Sequence, residues 1–370
     1  MPYPKGECVN KSEYVDVELD QEDVVFQGSE DEAIGVYLGG RLAFRFKEPT
    51  AITHIRLHLS GVRRVSAPTR AGWIRTSRES EFYKRTWEFH DASQTAPEIL
   101  PVRHHKYPFS AVLEGTLPES IEGFRDASIT YFFKVEIGRK HGKDVSYRKP
   151  LRIIRIPKLQ AVDTTLEEVW ANKIAYQVHI PSKAVAFGTA IDVNYGFVPL
   201  LKDLKIDRIE TQLSELREFT LNEDDLVLAR NSDSTRILSS DRYTIDEGAQ
   251  DPTRPKGGCQ FSHSIPLPQS LRQCVQDTDT MGIRVKHKLR IYVRMQNPDG
   301  HYSELRIAVP VSIYLSPSYR VWDGCFTGEA PPPALIASGD GEEAPPAYGQ
   351  HEMDRIYEGR DEGAGTQLVT

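Results

Sequence analysis

The chain has 370 residues and a formal net charge of −7, long enough for two ordinary domains that each bury a core. The charge is uneven: from residue 321 onward ten acidic residues stand against two bases, Arg355 and Arg360, so that stretch carries −8 and residues 1–320 carry +1. A balanced body with an acidic tail excludes a general nucleic-acid binder, which needs a basic surface.

Along the body the dominant hydrophobic period is two, the period of a strand. Val15, Val17 and Leu19 alternate with acidic residues; Ile55, Leu57 and Leu59 share one face; Tyr131, Phe133, Val135 and Ile137 alternate, and Leu151, Ile153 and Leu159 do so less cleanly. Short strands at this density, separated by Gly/Pro turns, predict an all-β chain of sandwiches. A boundary is expected near Arg155-Ile156-Pro157-Lys158, where an alternating strand runs into proline and the polar stretch 163–168 follows. That gives a first sandwich over 1–157 and a second over 158–320. Between them in character is 204–219: Leu204, Ile206, Ile209, Leu213, Leu216 and Phe219 approximate helical spacing, yet Ile209-Thr211-Leu213 also reads as a strand. The pattern alone leaves both open.

The clearest hairpin lies further on. Ile283, Val285, Leu289, Ile291, Val293 and Met295 form one apolar row with His287 among them, and Leu305, Ile307, Val309, Val311 and Ile313 form the returning row. A two-residue loop at Asp299-Gly300 would set these rows on opposite faces. A three-residue loop, Pro298-Asp299-Gly300, pairs Val293 with Leu305 and Ile291 with Ile307, with Gly300 in the left-handed position of a bulge. His287 is expected to be a hydrogen-bonded core histidine. The other face carries Arg284, Lys286, Lys288, Arg290 and Arg294, read as a solvated strand face in preference to a patch for acidic lipid or a phosphorylated tail. After Ser316-Pro317 hydrophobicity falls and Pro, Gly and acid take over, so 321–370 is predicted to be a disordered tail.

Two short motifs carry interaction chemistry. In the tail, Pro345-Pro346-Ala347-Tyr348 reads Pro-Pro-x-Tyr, the core of a WW-domain ligand: paired prolines pre-set a polyproline-II turn and the tyrosine fills a neighbouring pocket. On four residues alone, an incidental tetrapeptide in a Pro-rich tail explains it equally well. In the body, Arg63-Arg64-Val65-Ser66-Ala67-Pro68 suits a basophilic kinase at Ser66, and its product resembles a 14-3-3 ligand. Pro68 and Gly72 suggest an accessible loop there; a β-hairpin with ordinary basic residues explains the motif as well.

Catalytic and metal constellations are not read. Adjacent His104 and His105 would point to opposite faces of a strand, and no Gly-x-Ser-x-Gly or phosphate loop occurs. Cys8, Cys259, Cys274 and Cys325 form no Cys-x-x-Cys pair, which fits a reducing compartment and gives no zinc motif. No cofactor, no metal and no enzymatic activity are expected. Met1-Pro2-Tyr3-Pro4-Lys5 lacks the apolar core of a signal peptide and no apolar run reaches membrane-spanning length, so a cytoplasmic chain is expected.

Several stretches resemble a known family. Tyr107-Pro108-Phe109-Ser110, Leu117-Pro118-Glu119-Ser120-Ile121-Glu122-Gly123 and Ile129-Thr130-Tyr131 resemble an arrestin N-domain; Trp170-Ala171-Asn172-Lys173-Ile174-Ala175-Tyr176, Pro199-Leu200 and Ile283-Arg284-Val285-Lys286-His287-Lys288-Leu289 resemble its C-domain. With the Pro-Pro-x-Tyr motif, the chain is similar to the α-arrestins, the arrestin-related trafficking adaptors of fungi. The resemblance implies two tandem arrestin-like, immunoglobulin-type β-sandwiches, and turns 204–219 toward strand. It implies an adaptor that brings a NEDD4/Rsp5-type HECT ubiquitin ligase, through its WW domains and Pro345, Pro346 and Tyr348, to the cytosolic tails of plasma-membrane transporters for ubiquitylation and endocytosis. Peripheral recruitment to the plasma membrane and endosomes goes with that role. Self-ubiquitylation early in the second sandwich would fall among Lys173, Lys183, Lys202 and Lys205. A single Pro-Pro-x-Tyr, where relatives often carry two or more, departs from the family and bears on avidity for the ligase. The competing expectation is a retromer-type trafficking scaffold, which shares two sandwiches and needs no tail motif.

Overall fold

The computed structural model describes residues 14–68, 75–92, 98–158, 163–221, 235–244, 258–322 and 324–329. Among them there is no helix, hence none long and apolar enough to cross a membrane. The first half lays down β1 (Tyr14–Leu19), β2 (Asp23–Gln27), β3 (Val36–Arg45), β4 (Thr50–Pro68), β5 (Arg75–Asp91), β6 (Glu98–Leu100), β7 (His105–Leu113), β8 (Ala127–Arg139) and β9 (Val145–Ile156). These form one sheet in the order β1-β3-β7 and another in the order β2-β9-β8-β4-β5, with β6 on β4. Inward rows such as Leu57 and Leu59 from β4, Phe133 and Val135 from β8, and Leu42 and Phe44 from β3 close into one core.

The second half repeats the plan with β10 (Thr164–Trp170), β11 (Ile174–Ile180), β12 (Ala184–Ala186), β13 (Ala190–Pro199), β14 (Lys205–Phe219), β15 (Thr235–Tyr243), β16 (Cys259–Pro266), β17 (Thr278–Thr280), β18 (Ile283–Gln296) and β19 (Tyr302–Tyr314). Its sheets run β10-β11-β13-β16 and β12-β19-β18-β14-β15, with β17 on β18. In each half the larger sheet ends in a short parallel pair, β2 on β9 and β12 on β19. The two cores interlock. Ile154 and Ile156, at the end of β9, belong to the second, while Phe219, Val275, Ile283 and Val285 belong to the first.

The β18–β19 register is the one that a three-residue loop requires: Ile291 faces Ile307 and Val293 faces Leu305. The Asn297 carbonyl accepts the Gly300 N–H at 2.9 Å, and the Asn297 N–H donates to the His301 carbonyl at 2.8 Å. Gly300 sits at φ +83° with open space where a Cβ would be. Gly300→Ala should therefore cost only backbone strain, about 1 kcal/mol. Urea unfolding should show that loss; an unchanged midpoint would remove the left-handed turn from the account.

Residues 205–219 form a single strand, β14. The helical look has a physical cause. An extra residue at Asp207 bulges the pairing with β18, so Ile206 (opposite Met295) and Ile209 (opposite Val293) share a face although three apart. Leu216 lies opposite Lys286, on the outer face.

Two expectations are corrected. Ser66 is not in a loop: β4 continues through Pro68, with Ser66 opposite Ser77 of β5. Nor does the folded part stop at 320. β20 (Tyr319–Trp322) and β21 (Cys325–Glu329) form a hairpin, held by the Phe326 N–H on the Gln269 carbonyl at 2.8 Å and by Phe326 packing on the second core.

Candidate functional site

Pro345, Pro346 and Tyr348 lie outside the described residues. The four lysines are described, and the fold splits them. Lys173 turns the chain between β10 and β11 and receives the Leu200 N–H on its carbonyl at 2.9 Å; its Nζ donates to Ser303 Oγ at 2.6 Å and lies 4.4 Å from the Trp170 ring centre. Lys202 is exposed on the turn into β14, and Lys205, also exposed, opens β14 opposite Gln296. These three therefore share the hairpin end of the second sandwich. Lys183 lies at the other end, where its carbonyl accepts the Ser312 N–H, nine residues along β19 from Ser303 or roughly 30 Å of strand.

Ser66 and its arginine are both engaged. The Ser66 N–H donates to the Asp126 carbonyl at 2.7 Å, and its Oγ accepts from Arg75 Nε at 3.1 Å. Arg63, 3% exposed, donates to the carbonyls of Met281 (2.9 Å) and Thr220 (2.6 Å) in the second sandwich. His104 and His105 diverge as strand geometry requires: His104 is exposed, and His105 is buried with Nε2 2.9 Å from the Pro101 carbonyl.

The Leu117–Gly123 stretch becomes a hub between the sandwiches. Arg155 Nε donates to Glu119 Oε2 at 3.1 Å, and Thr278 of β17 donates to Glu119 Oε1. Ser120 exchanges bonds with the Ile153 backbone, and its carbonyl accepts Gln276 Nε2 at 2.6 Å. Arg152 holds Glu122 with two bonds of 3.0 Å and the Val321 carbonyl with a third. Gly123, at φ +81°, lies so close to Leu271 that a Cβ would stand 2.2 Å from its carbonyl oxygen. A little apart, Thr280 bonds Glu30. Such paired, largely desolvated groups tie together the segments they join.

Next to this seam lies a group that the sequence did not announce. Glu215 faces inward from β14 with its side chain fully buried, as is that of His287 on β18. His287 Nδ1 lies 2.6 Å from Asp277 Oδ1; its Nε2 lies 3.3 Å from Glu215 Oε2 and 3.7 Å from Cys274 Sγ. Arg217 and Arg236 donate to Glu215 Oε1, and the Val275 N–H to Oε2 at 2.8 Å. Burial alone would lower the imidazole pKa; hydrogen bonds to Asp277, Cys274 and Glu215 instead raise it to about 11. Burial opposes ionisation of Glu215 too, but hydrogen bonds from His287 and Arg217 hold its pKa below the ordinary value. Burial pushes the Cys274 thiol up. His287 is thus a hydrogen-bonded core histidine; Arg217 and Arg236 stand 2 and 21 positions from Glu215, whereas Val275 and His287 stand 60 and 72 positions away. The strap 274–278 links this group to the seam through Gln276 and Thr278.

Comparison with known proteins now bears on the fold. Residues 15–160 match the arrestin (or S-antigen) N-terminal domain and 170–318 the C-terminal domain. The HECT-type ubiquitin ligase-interacting protein apyA of Emericella nidulans is 51% identical over 366 residues, covering 96% of this chain and 98% of that protein. The HECT-type ubiquitin ligase-interacting protein creD of the same organism is 42% identical, covering 95% of this chain and 61% of that protein. A probable creD of Aspergillus terreus is also 42% identical, with 95% and 63% covered. The chain thus spans about three fifths of these creD relatives and nearly all of apyA. With both domain types matched in order and folded as tandem β-sandwiches, the chain belongs to the arrestin family, in its α-arrestin branch.

Proposed function

We propose that this chain is a non-enzymatic adaptor that joins a NEDD4/Rsp5-type HECT ubiquitin ligase to plasma-membrane transporters and so promotes their ubiquitylation and endocytosis. The observation that carries this is likeness over almost the whole length to a protein named for interacting with a HECT-type ligase, in a chain that also holds Pro345-Pro346-Ala347-Tyr348. In this reading the two sandwiches, 1–157 and 158–320 extended by the 319–329 hairpin, bind transporter tails, and the segment beyond 330 reaches the WW domain. The protein works in the cytoplasm and is recruited to plasma membrane and endosomes. Capture of the full chain by isolated WW domains, and its loss in Tyr348→Ala, tests the ligase contact. A retromer-type scaffold would not be captured.

Among the lysines, Lys202 should be ubiquitylated ahead of Lys173, whose ammonium is occupied by Ser303 and the Trp170 face. Mass spectrometry of ligase-treated protein checks this; diGly remnants on Lys173 with Lys202 bare would refute it. A 14-3-3 contact through Ser66 is not part of this reading. With Arg63 spent on the seam and Ser66 paired in β4, kinase-treated wild type and Ser66→Ala should bind 14-3-3 equally. Stronger binding by wild type would restore Ser66 as a switch.

A further inference from the structure

The buried Glu215, Cys274 and His287 side chains offer one carboxylate oxygen, one thiol and one ring nitrogen within 4.8 Å of one another. That donor set suits zinc, which takes thiolate, imidazole and carboxylate together. The two distances from the imidazole nitrogen also suit it. With zinc–nitrogen and zinc–oxygen bonds near 2.0 Å and a zinc–sulfur bond near 2.3 Å, tetrahedral ligands stand roughly 3.3 Å (N to O) and 3.6 Å (N to S) apart. Here Nε2 lies 3.3 Å from Glu215 Oε2 and 3.7 Å from Cys274 Sγ.

The surroundings are arranged as ligands need. Nδ1–H donates to Asp277, whose Oδ1 also accepts the Ile313 N–H at 2.8 Å. A carboxylate behind a ligating histidine fixes the tautomer and aims the other nitrogen at the metal. Arg217 and Arg236 take Glu215 Oε1, which leaves Oε2 turned toward the imidazole and the thiol. Zinc takes the cysteine as thiolate and the imidazole through its unprotonated nitrogen, so its uptake at these ligands would release protons.

We propose that Glu215 Oε2, Cys274 Sγ and His287 Nε2 form a structural zinc site that pins the 274–278 strap to β14 and β18 beside the inter-sandwich seam. The fourth position goes to water or to the Val275 carbonyl, whose oxygen lies 4.0 Å from Sγ. The signal is absent from the sequence because Cys274 and His287 are 13 residues apart and Glu215 is 72 from His287, far from any local zinc spacing.

The test is the metal content of full-length protein produced with added zinc and purified without chelator. Wild type should carry one zinc per chain, as should Cys8→Ser/Cys259→Ser/Cys325→Ser, in which Cys274 is the single thiol. Cys274→Ser should carry none, and Asp277→Asn should bind zinc about 10–100-fold more weakly. Zinc absent from wild type, or retained by Cys274→Ser, overturns the site. Should Cys274→Ser fail to fold, zinc-edge X-ray absorption of wild type decides: one sulfur with nitrogen and oxygen supports the assignment, and a sulfur-free or multi-sulfur shell ends it.

Discussion

Tyr348→Ala should remove most binding of the chain to an isolated WW domain. A single short motif is expected to bind at roughly micromolar level, about −8 kcal/mol. Such a small interface concentrates its energy in a few anchors, each costing about 2 kcal/mol or more when truncated, so the loss should be about thirtyfold. Pro345→Ala and Pro346→Ala act on the same contact through the polyproline-II turn. With one Pro-Pro-x-Tyr in the sequence, no second copy supplies avidity to hide the effect. Calorimetric titration of the full chain with a WW domain gives the number. Full affinity in Tyr348→Ala would show that the ligase, if bound at all, is bound elsewhere, and would favour the scaffold alternative.

What could be read from the residues depended on how local the determining interactions are. The β18–β19 hairpin was legible because both apolar rows are unbroken and Pro298-Asp299-Gly300 fixes the register. β14 was not: its inner row contains Thr211 and Glu215, both buried, and a buried carboxylate looks like a surface one until its partners arrive from distant strands. Ser66 was misplaced because Pro68 and Gly72 resemble turn punctuation, whereas Pro68 ends a 19-residue strand opposite Arg75. The 319–329 hairpin was missed because a few long-range bonds, to Gln269 and Arg152, order a stretch whose composition alone suggests disorder. The Leu117–Gly123 hub showed in the sequence only as resemblance; its carboxylates meet Arg152, Arg155 and Thr278 through the fold.

Glu215→Ala, measured with a chelator present, should be among the most destabilising single changes in the body. The side chain is fully buried and answers Arg217, His287 and the Val275 N–H. Removing one partner of a buried ionic group leaves the others uncompensated, at a cost of about 3–5 kcal/mol. Glu215→Gln keeps the volume and an acceptor for Val275, so it should cost less, about 1.5–3 kcal/mol, for the lost charge-assisted bonds. The pH dependence separates charge from packing. The Glu215 pKa is lowered from 4.5 on folding, so its contribution is complete above about pH 4.5 and is lost as pH falls through the lower folded value. The His287 pKa is raised from 6.5 to about 11, so its contribution is complete below pH 6.5 and fades as pH rises toward 11. Wild type should therefore lose stability on both sides of that interval. The difference between wild type and Glu215→Gln, followed by urea unfolding from pH 3 to pH 7, should shrink toward the acid end, because protonated Glu215 is nearly glutamine in charge. A difference independent of pH would mean that Glu215 is held by its shape alone and that the buried ion pair with His287 contributes nothing.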